Sequence, residues 1–89
     1  MDIRQMTYFY SIVKNKTFTK AARELHISQP SLSAQIKELE QELGCVLLER
    51  NTKKVTLTEA GQLFLKLIEP ILMQQKNYFV KWKIIKPSD

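Results

Sequence analysis

The sequence predicts a mainly α-helical fold built on a helix-turn-helix, with a short β-hairpin and a long final helix. Three observations carry this. Two stretches of helical apolar spacing, Ala21-Ala22-Leu25 and Leu32-Ile36-Leu39-Leu43, are separated by little more than His26-Ile27-Ser28. After Gly44 the pattern changes to two short runs, Val46–Arg50 and Lys54–Leu57, around Asn51-Thr52-Lys53. From Ala60 to Trp82, apolar residues recur at i, i+3 and i+4 spacing.

Taken in order, Asp2 can cap the first helix, with Gln5 three residues later as a capping-box partner. That helix is expected from Ile3 to about Lys14. Ile3, Met6, Phe9, Tyr10 and Val13 form its apolar stripe. Tyr8 and Ile12 lie outside the stripe and are expected to receive the C-terminal helix. Asn15-Lys16-Thr17 reads as a turn. Phe18 should anchor the second helix in the core, with Thr19 as its N-cap. Ala21 and Ala22 are small enough for two helices to cross closely, and Ile27 plugs the corner. His26 sits where the tight turn needs positive φ, which histidine tolerates better than most residues; no partner suggests a catalytic or metal role for it. Ser28 is a good N-cap for the next helix, Pro30 falls in its first turn where a missing N–H costs nothing, and Gly44 ends it.

β-Branched Val55 and Thr56 support the second strand of the hairpin. Cys45, beside Val46, Leu47 and Leu48, reads as a small buried apolar residue. Thr58 caps the last helix, and Glu59 suits its positive end. At 1.5 Å per residue this helix spans roughly 30 Å, more apolar length than a small domain covers. An exposed apolar stripe of this kind marks an interface, so a two-fold dimer is expected through Leu63, Phe64, Leu67, Ile68, Ile71 and Leu72. Pro70 removes a hydrogen bond inside the helix and predicts a kink or break near Glu69. The organisation expected is residues 1–58 as one domain, 59–83 as a linker and dimerisation helix kinked at Pro70, and 84–89 as a frayed tail.

Composition bounds the function. At 89 residues with net charge +5, 14 basic against nine acidic residues, the chain is moderately basic. That favours a polyanion partner without proving one; a solvated basic surface is the plain alternative. The single cysteine allows no internal disulfide, and no metal-ligand spacing appears, so no metal and no cofactor are expected. No nucleophile–base pair or carboxylate pair suggests an enzyme. No signal peptide or membrane-spanning run is visible, so a cytoplasmic protein is expected.

The face of the second crossing helix opposite Leu32 and Ile36 carries Pro30, Ser33, Ala34 and Lys37, flanked by Ser31 and Gln35. Small side chains and hydrogen-bonding tips at a helix N-terminus suit entry into a DNA major groove; an ordinary polar helix face is the alternative. Thr17, Thr19 and Lys20, at another helix start, could contact phosphate or simply cap. Arg50, Lys53 and Lys54 cluster at the hairpin, which could place a cation in the minor groove or on phosphates; a solvated hairpin tip is the alternative.

The string AARELHISQPSLSAQIKELEQELG, followed by LLERNTKKVTLTEAG, resembles the amino-terminal winged helix-turn-helix of LysR-type transcriptional regulators. The likeness runs from Met1 to about Met73, and SQPSLS, LEQELG, LLER and LTEAG fall in order. It implies a bacterial, nucleoid-associated regulator that binds double-stranded DNA at an interrupted palindromic operator, as a homodimer or higher assembly through the linker helix. The implied DNA contacts are Gln29, Pro30, Ser31, Ser33, Ala34 and Lys37 in the major groove. Arg50, Lys53 and Lys54 would serve the wing, and Thr19, Lys20 and Ser28 would position the backbone. Ala34 stands where family members often carry arginine, which leaves a thymine methyl as its possible contact. The family's effector-sensing domain, and with it any small-molecule site, is absent from this sequence. A shortened regulator could also act as a protein-interaction module through its long helix; stable self-association without duplex binding would favour that reading.

Overall fold

The computed structural model describes the backbone of residues 1–51 and 54–85, and side chains within these as far as residue 74. The elements run α1 (Ile3–Asn15), α2 (Phe18–Leu25), α3 (Gln29–Leu43), β1 (Leu48–Arg50), β2 (Val55–Leu57) and α4 (Glu59–Ile85). β1 and β2 form an antiparallel hairpin with Leu48 opposite Leu57, Glu49 opposite Thr56 and Arg50 opposite Val55.

Local chemistry sets the helix ends. Asp2 Oδ1 accepts the Gln5 amide at 2.8 Å, Ser28 Oγ accepts the Ser31 amide at 3.1 Å, and Thr58 Oγ1 accepts the Gly61 amide at 3.0 Å. His26 closes α2 with φ 58°, and Gly44 closes α3 with φ 75°. Lys16 closes α1 in the same left-handed region, at φ 67°. The cap of α2 is Thr17, not Thr19: its hydroxyl accepts the Lys20 amide at 3.1 Å. The left-handed Lys16 reverses the chain so that the helix starts two residues earlier than the sequence suggested, and Phe18 already belongs to it.

One core joins all the layers. Phe9, Ile12, Leu32, Ile36, Leu39, Leu47 and Ile68 are almost wholly buried, and Met6, Phe18, Ala21, Ala22, Leu48 and Phe64 complete the cluster. Ile12, expected outside the main stripe, is 0% exposed, and Phe9 of that stripe meets α4, edge-on to Phe64 at 5.1 Å. Gln5 forms no capping box. It faces inward, 4% exposed, and its Nε2 donates to Gln35 Oε1 at 3.3 Å while its Oε1 has no hydrogen bond among the described residues.

Glu40 holds the corner between α3 and β1 twice over. Its backbone carbonyl accepts the amides of Gly44 and Cys45, and its carboxylate accepts those of Leu47 at 2.7 Å and Leu48 at 3.2 Å. Cys45 is exposed on this corner rather than buried, because the turn at Gly44 sends Leu47 and Leu48 inward and leaves Cys45 and Val46 outside. The hairpin is tied down at two further points. The Val55 amide donates to the Lys16 carbonyl at 2.9 Å, and the Thr58 hydroxyl donates to the Val46 carbonyl at 2.6 Å.

α4 carries on through Pro70 without a break, and its helical backbone reaches Ile85, two residues into the segment expected to fray. Residues 86–89 of that expected tail lie outside the described residues. Along α4, Phe64 (6% exposed) and Ile68 (1%) are core residues, so their expected place in a dimer interface does not hold. Helical spacing alone mixes two neighbouring faces, and these two side chains face their own domain. Leu72 packs half-buried against the same core, whereas Leu63, Leu67 and Ile71 are exposed.

Candidate nucleic-acid interface

The starts of α2 and α3 lie side by side, and the hairpin stands beside them. Together they enclose an open groove lined by Thr17, Phe18, Thr19, Gln29, Pro30, Ser33, Arg50, Asn51, Lys54 and Val55. The turn His26-Ile27-Ser28 is what brings the two helix starts together. Its Ile27 amide donates to the Ala22 carbonyl, and Ser28 then caps α3.

Within the groove, Gln29 Nε2 donates to Thr19 Oγ1 at 3.2 Å, linking the first turn of α3 to α2. Arg50 crosses from the hairpin to both helices. Its guanidinium carbon lies 3.9 Å from the centroid of the Phe18 ring, and its Nη2 donates to Ser33 Oγ at 2.9 Å. A cation over an aromatic face is worth about 0.5–1 kcal/mol at an exposed site. Lys54 is exposed at the groove edge, its amide donating to Asn51 Oδ1 at 2.9 Å.

The groove thus gathers Thr19, Gln29, Pro30, Ser33, Arg50 and Lys54 from the residues anticipated by sequence. Ser31, Ala34 and Lys37 lie exposed along α3 outside it, and Lys20 is exposed on α2. Ser28 is spent on capping: its Oγ accepts the Ser31 amide and donates to Ser31 Oγ at 2.8 Å. Lys53 lies outside the described residues. Sequence reasoning missed the contact of Arg50 with Phe18 and Ser33, since residues 17 and 32 positions apart share no periodicity. It also missed Glu40, whose anchoring role has no signal beyond a carboxylate one turn before a helix end.

Away from the groove, Lys14 Nζ and Glu24 Oε1 pair at 2.7 Å, and Asn15 also donates to Glu24. The hydrogen bond with Lys14, then that with Asn15, holds the Glu24 carboxyl below its ordinary value, and the Glu24 partner raises Lys14. This cluster ties the end of α1 to α2. Among the described residues no group of acidic, histidine and cysteine side chains could hold a metal ion, and no helix is long and apolar enough to cross a membrane.

Two helices crossing through a left-handed corner, with a two-stranded hairpin flanking the second, define a winged helix-turn-helix protein. The family described as "Bacterial regulatory helix-turn-helix protein, lysR family" matches residues 3–62, and the chain belongs to that family. The HTH-type transcriptional regulator BsdA of Bacillus subtilis (strain 168) is 46% identical over 87 residues, 97% of this chain and 30% of BsdA. The Hca operon transcriptional activator HcaR of Escherichia coli (strain K12) is 43% identical over 89 residues, 100% of this chain and 30% of HcaR. The chain therefore spans about a third or less of the curated relatives it matches. Among solved structures, the BenM DNA-binding domain in complex with catB site 1 DNA superposes with a TM-score of 0.88 at 38% identity, covering 100% of this chain and 99% of that one. The CbnR DNA-binding domain–DNA complex gives 0.83 at 34%, covering 98% and 100%.

Proposed function

We propose that this chain is the DNA-reading module of a bacterial transcription regulator and binds double-stranded DNA. The observation that carries this is the groove, in which two helix N-termini and a cationic hairpin converge on one face. Helix N-termini offer free N–H groups and partial positive charge, and Arg50 and Lys54 add full charges beside them. In this reading the N-terminal half of α3 enters the major groove. Gln29, Pro30, Ser31, Ser33 and Lys37 face the base edges and Ala34 meets a thymine methyl. Thr19 and Lys20 position the sugar–phosphate backbone, and Ser28, its hydroxyl held by Ser31, serves that contact by fixing the start of α3. The hairpin brings Arg50, Lys53 and Lys54 to the minor groove or to phosphates. BenM and CbnR, whose DNA-binding domains are each solved on DNA, support this arrangement.

Two chains pair, in this reading, through the exposed side of α4. Leu63 and Leu67, 61% and 62% exposed, and Ile71 recur every four residues and form one apolar strip beside the face buried in the core. A two-fold pair of such domains would read an interrupted palindrome, acting in the cytoplasm on the nucleoid. The same strip is what favours the second reading, an interaction module that pairs through α4 with little DNA affinity of its own.

The test is a titration of duplexes selected from a genomic pool against a scrambled control, at two salt concentrations. Tight binding to a selected interrupted palindrome is expected. Lys54→Ala should weaken all duplexes about equally and reduce the salt slope by about one, whereas Gln29→Ala should cost about 1–3 kcal/mol and relax sequence choice. Equal weak binding to selected and scrambled DNA, lost as salt rises, would refute base reading and leave the interaction module.

A further inference from the structure

Arg50 is expected from its charge to be a phosphate or minor-groove cation, but its contacts point elsewhere. It ends β1, opposite Val55 in the hairpin register. Its guanidinium lies on the ring of Phe18, itself only 6% exposed, so the platform under the cation is packed into the core. From there Nη2 reaches Ser33 Oγ at 2.9 Å. A guanidinium only donates, so in this pair the serine oxygen must accept. A serine hydroxyl has one proton and can otherwise turn it toward the carbonyl one helical turn back. With Arg50 in place, the proton is directed away from the guanidinium, and among the described residues Ser33 Oγ donates to no carbonyl.

We propose that Arg50 is a positioning residue for base recognition, which stacks on Phe18 and sets Ser33 as a hydrogen-bond donor toward an acceptor atom on a base edge. Such acceptors are purine N7, guanine O6 or thymine O4. The inference rests on the DNA-reading function above. It makes the hairpin an orienting part of the reading head as well as a second point of attachment. Lysine could keep the charge of Arg50 but not its planar stack or its directed N–H.

The experiment measures affinity for a selected duplex and for its single-base variants, using wild type, Arg50→Lys, Ser33→Ala and the double variant, each checked by thermal melting. Ser33→Ala should flatten discrimination at one base position, a loss of roughly 2- to 13-fold for a single hydrogen bond. Arg50→Lys should flatten the same position, keep the salt slope, and add nothing when combined with Ser33→Ala. Deleting base atoms one at a time at that position should then reproduce the Ser33→Ala loss for an acceptor: N7 with a 7-deazapurine, O6 with 2-aminopurine, or O4 with a pyrimidinone. Three results would overturn the proposal: Arg50→Lys leaving discrimination intact, Arg50→Lys weakening every duplex alike, or the loss following deletion of a base amino group instead. Should Arg50→Lys not fold, Ser33→Ala with the atom deletions still decides whether Ser33 donates. If wild type itself selects no duplex, the DNA-reading function fails, a result distinct from selection that Arg50→Lys does not alter.

Discussion

Replacing Gly61 by alanine tests the joint between the hairpin and α4. Gly61 lies in the first turn of α4, where helix propensity alone predicts that alanine stabilises by about 0.5–1 kcal/mol. The surroundings predict the opposite. A Cβ there would stand 2.0 Å from the Leu47 carbonyl oxygen, 3.0 Å from its carbon and 3.1 Å from Leu57 Cδ2. The main obstacle is backbone and cannot rotate away, so α4 and Leu47 must part by about 1 Å. A gap of that size forfeits about a quarter to a half of the contact attraction. Phe64 and Ile68 are the fully seated side chains of α4, each worth about 1.5–3 kcal/mol buried, so the loss is about 1–3 kcal/mol. After the propensity gain, Gly61→Ala should destabilise by about 0.5–2 kcal/mol, at about 4–8 °C of Tm per kcal/mol. Gly44→Ala is the control of opposite kind. It meets nothing within 4 Å but must hold φ +75°, and should cost about 1–2 kcal/mol through the backbone alone. Thermal melting followed by circular dichroism, at one protein concentration, measures both. Gly61→Ala melting at or above wild type would refute the close approach of α4 to Leu47.

Thr17→Ala should cost about 1 kcal/mol through the lost cap of α2, while Thr19→Ala should leave the melting midpoint within about 0.5 kcal/mol of wild type; equal effects would overturn the cap assignment. Leu67→Glu places a charge on the exposed strip of α4 and should shift sedimentation toward monomer without lowering monomer stability, whereas Ile68→Ala should cost about 2–5 kcal/mol because that side chain is core. For Glu24, the folded carboxyl is held below its ordinary 4.5. Its contribution is therefore present above that value and lost as pH falls through the lower, folded one. Wild type should accordingly melt above Glu24→Gln at neutral pH and converge with it in acid, by a small margin that salt reduces, since both partners are exposed.

What was legible in the sequence is mostly local stereochemistry. Asp2, Ser28 and Thr58 cap because a short polar side chain precedes each apolar repeat. His26 and Gly44 take positive φ because the chain must reverse there. The facing helix starts and the hairpin followed from those stops, and so did most of the groove. The errors arise where one pattern serves two ends. Thr17 and Thr19 both suit a cap, and the left-handed Lys16, a lysine in a conformation that usually asks for glycine or asparagine, decides between them. Phe64 and Leu67 belong to the same apolar repeat, and only the position of α1 shows which faces the core. Cys45 follows an apolar neighbourhood in sequence but sits outside the corner in space. The bridge from Arg50 to Phe18 and Ser33 depends on three elements meeting, which no spacing encodes.

The double hold of Glu40 on the corner after α3 has a consequence for how such a chain can diverge or be redesigned. The root of the hairpin is pinned to α3 by one residue's carbonyl and carboxylate, and to α4 through Thr58. These ties all lie at the root, and the two strands join through the loop between Asn51 and Lys54. Residues inserted in the loop would lengthen the tip while leaving the orientation of α3 as it is, so reach can drift or be tuned independently of the helix. The same insertion between Gly44 and Leu47 would break the strut and swing the whole hairpin. Variation in length should therefore be tolerated at the tip and purged at the root.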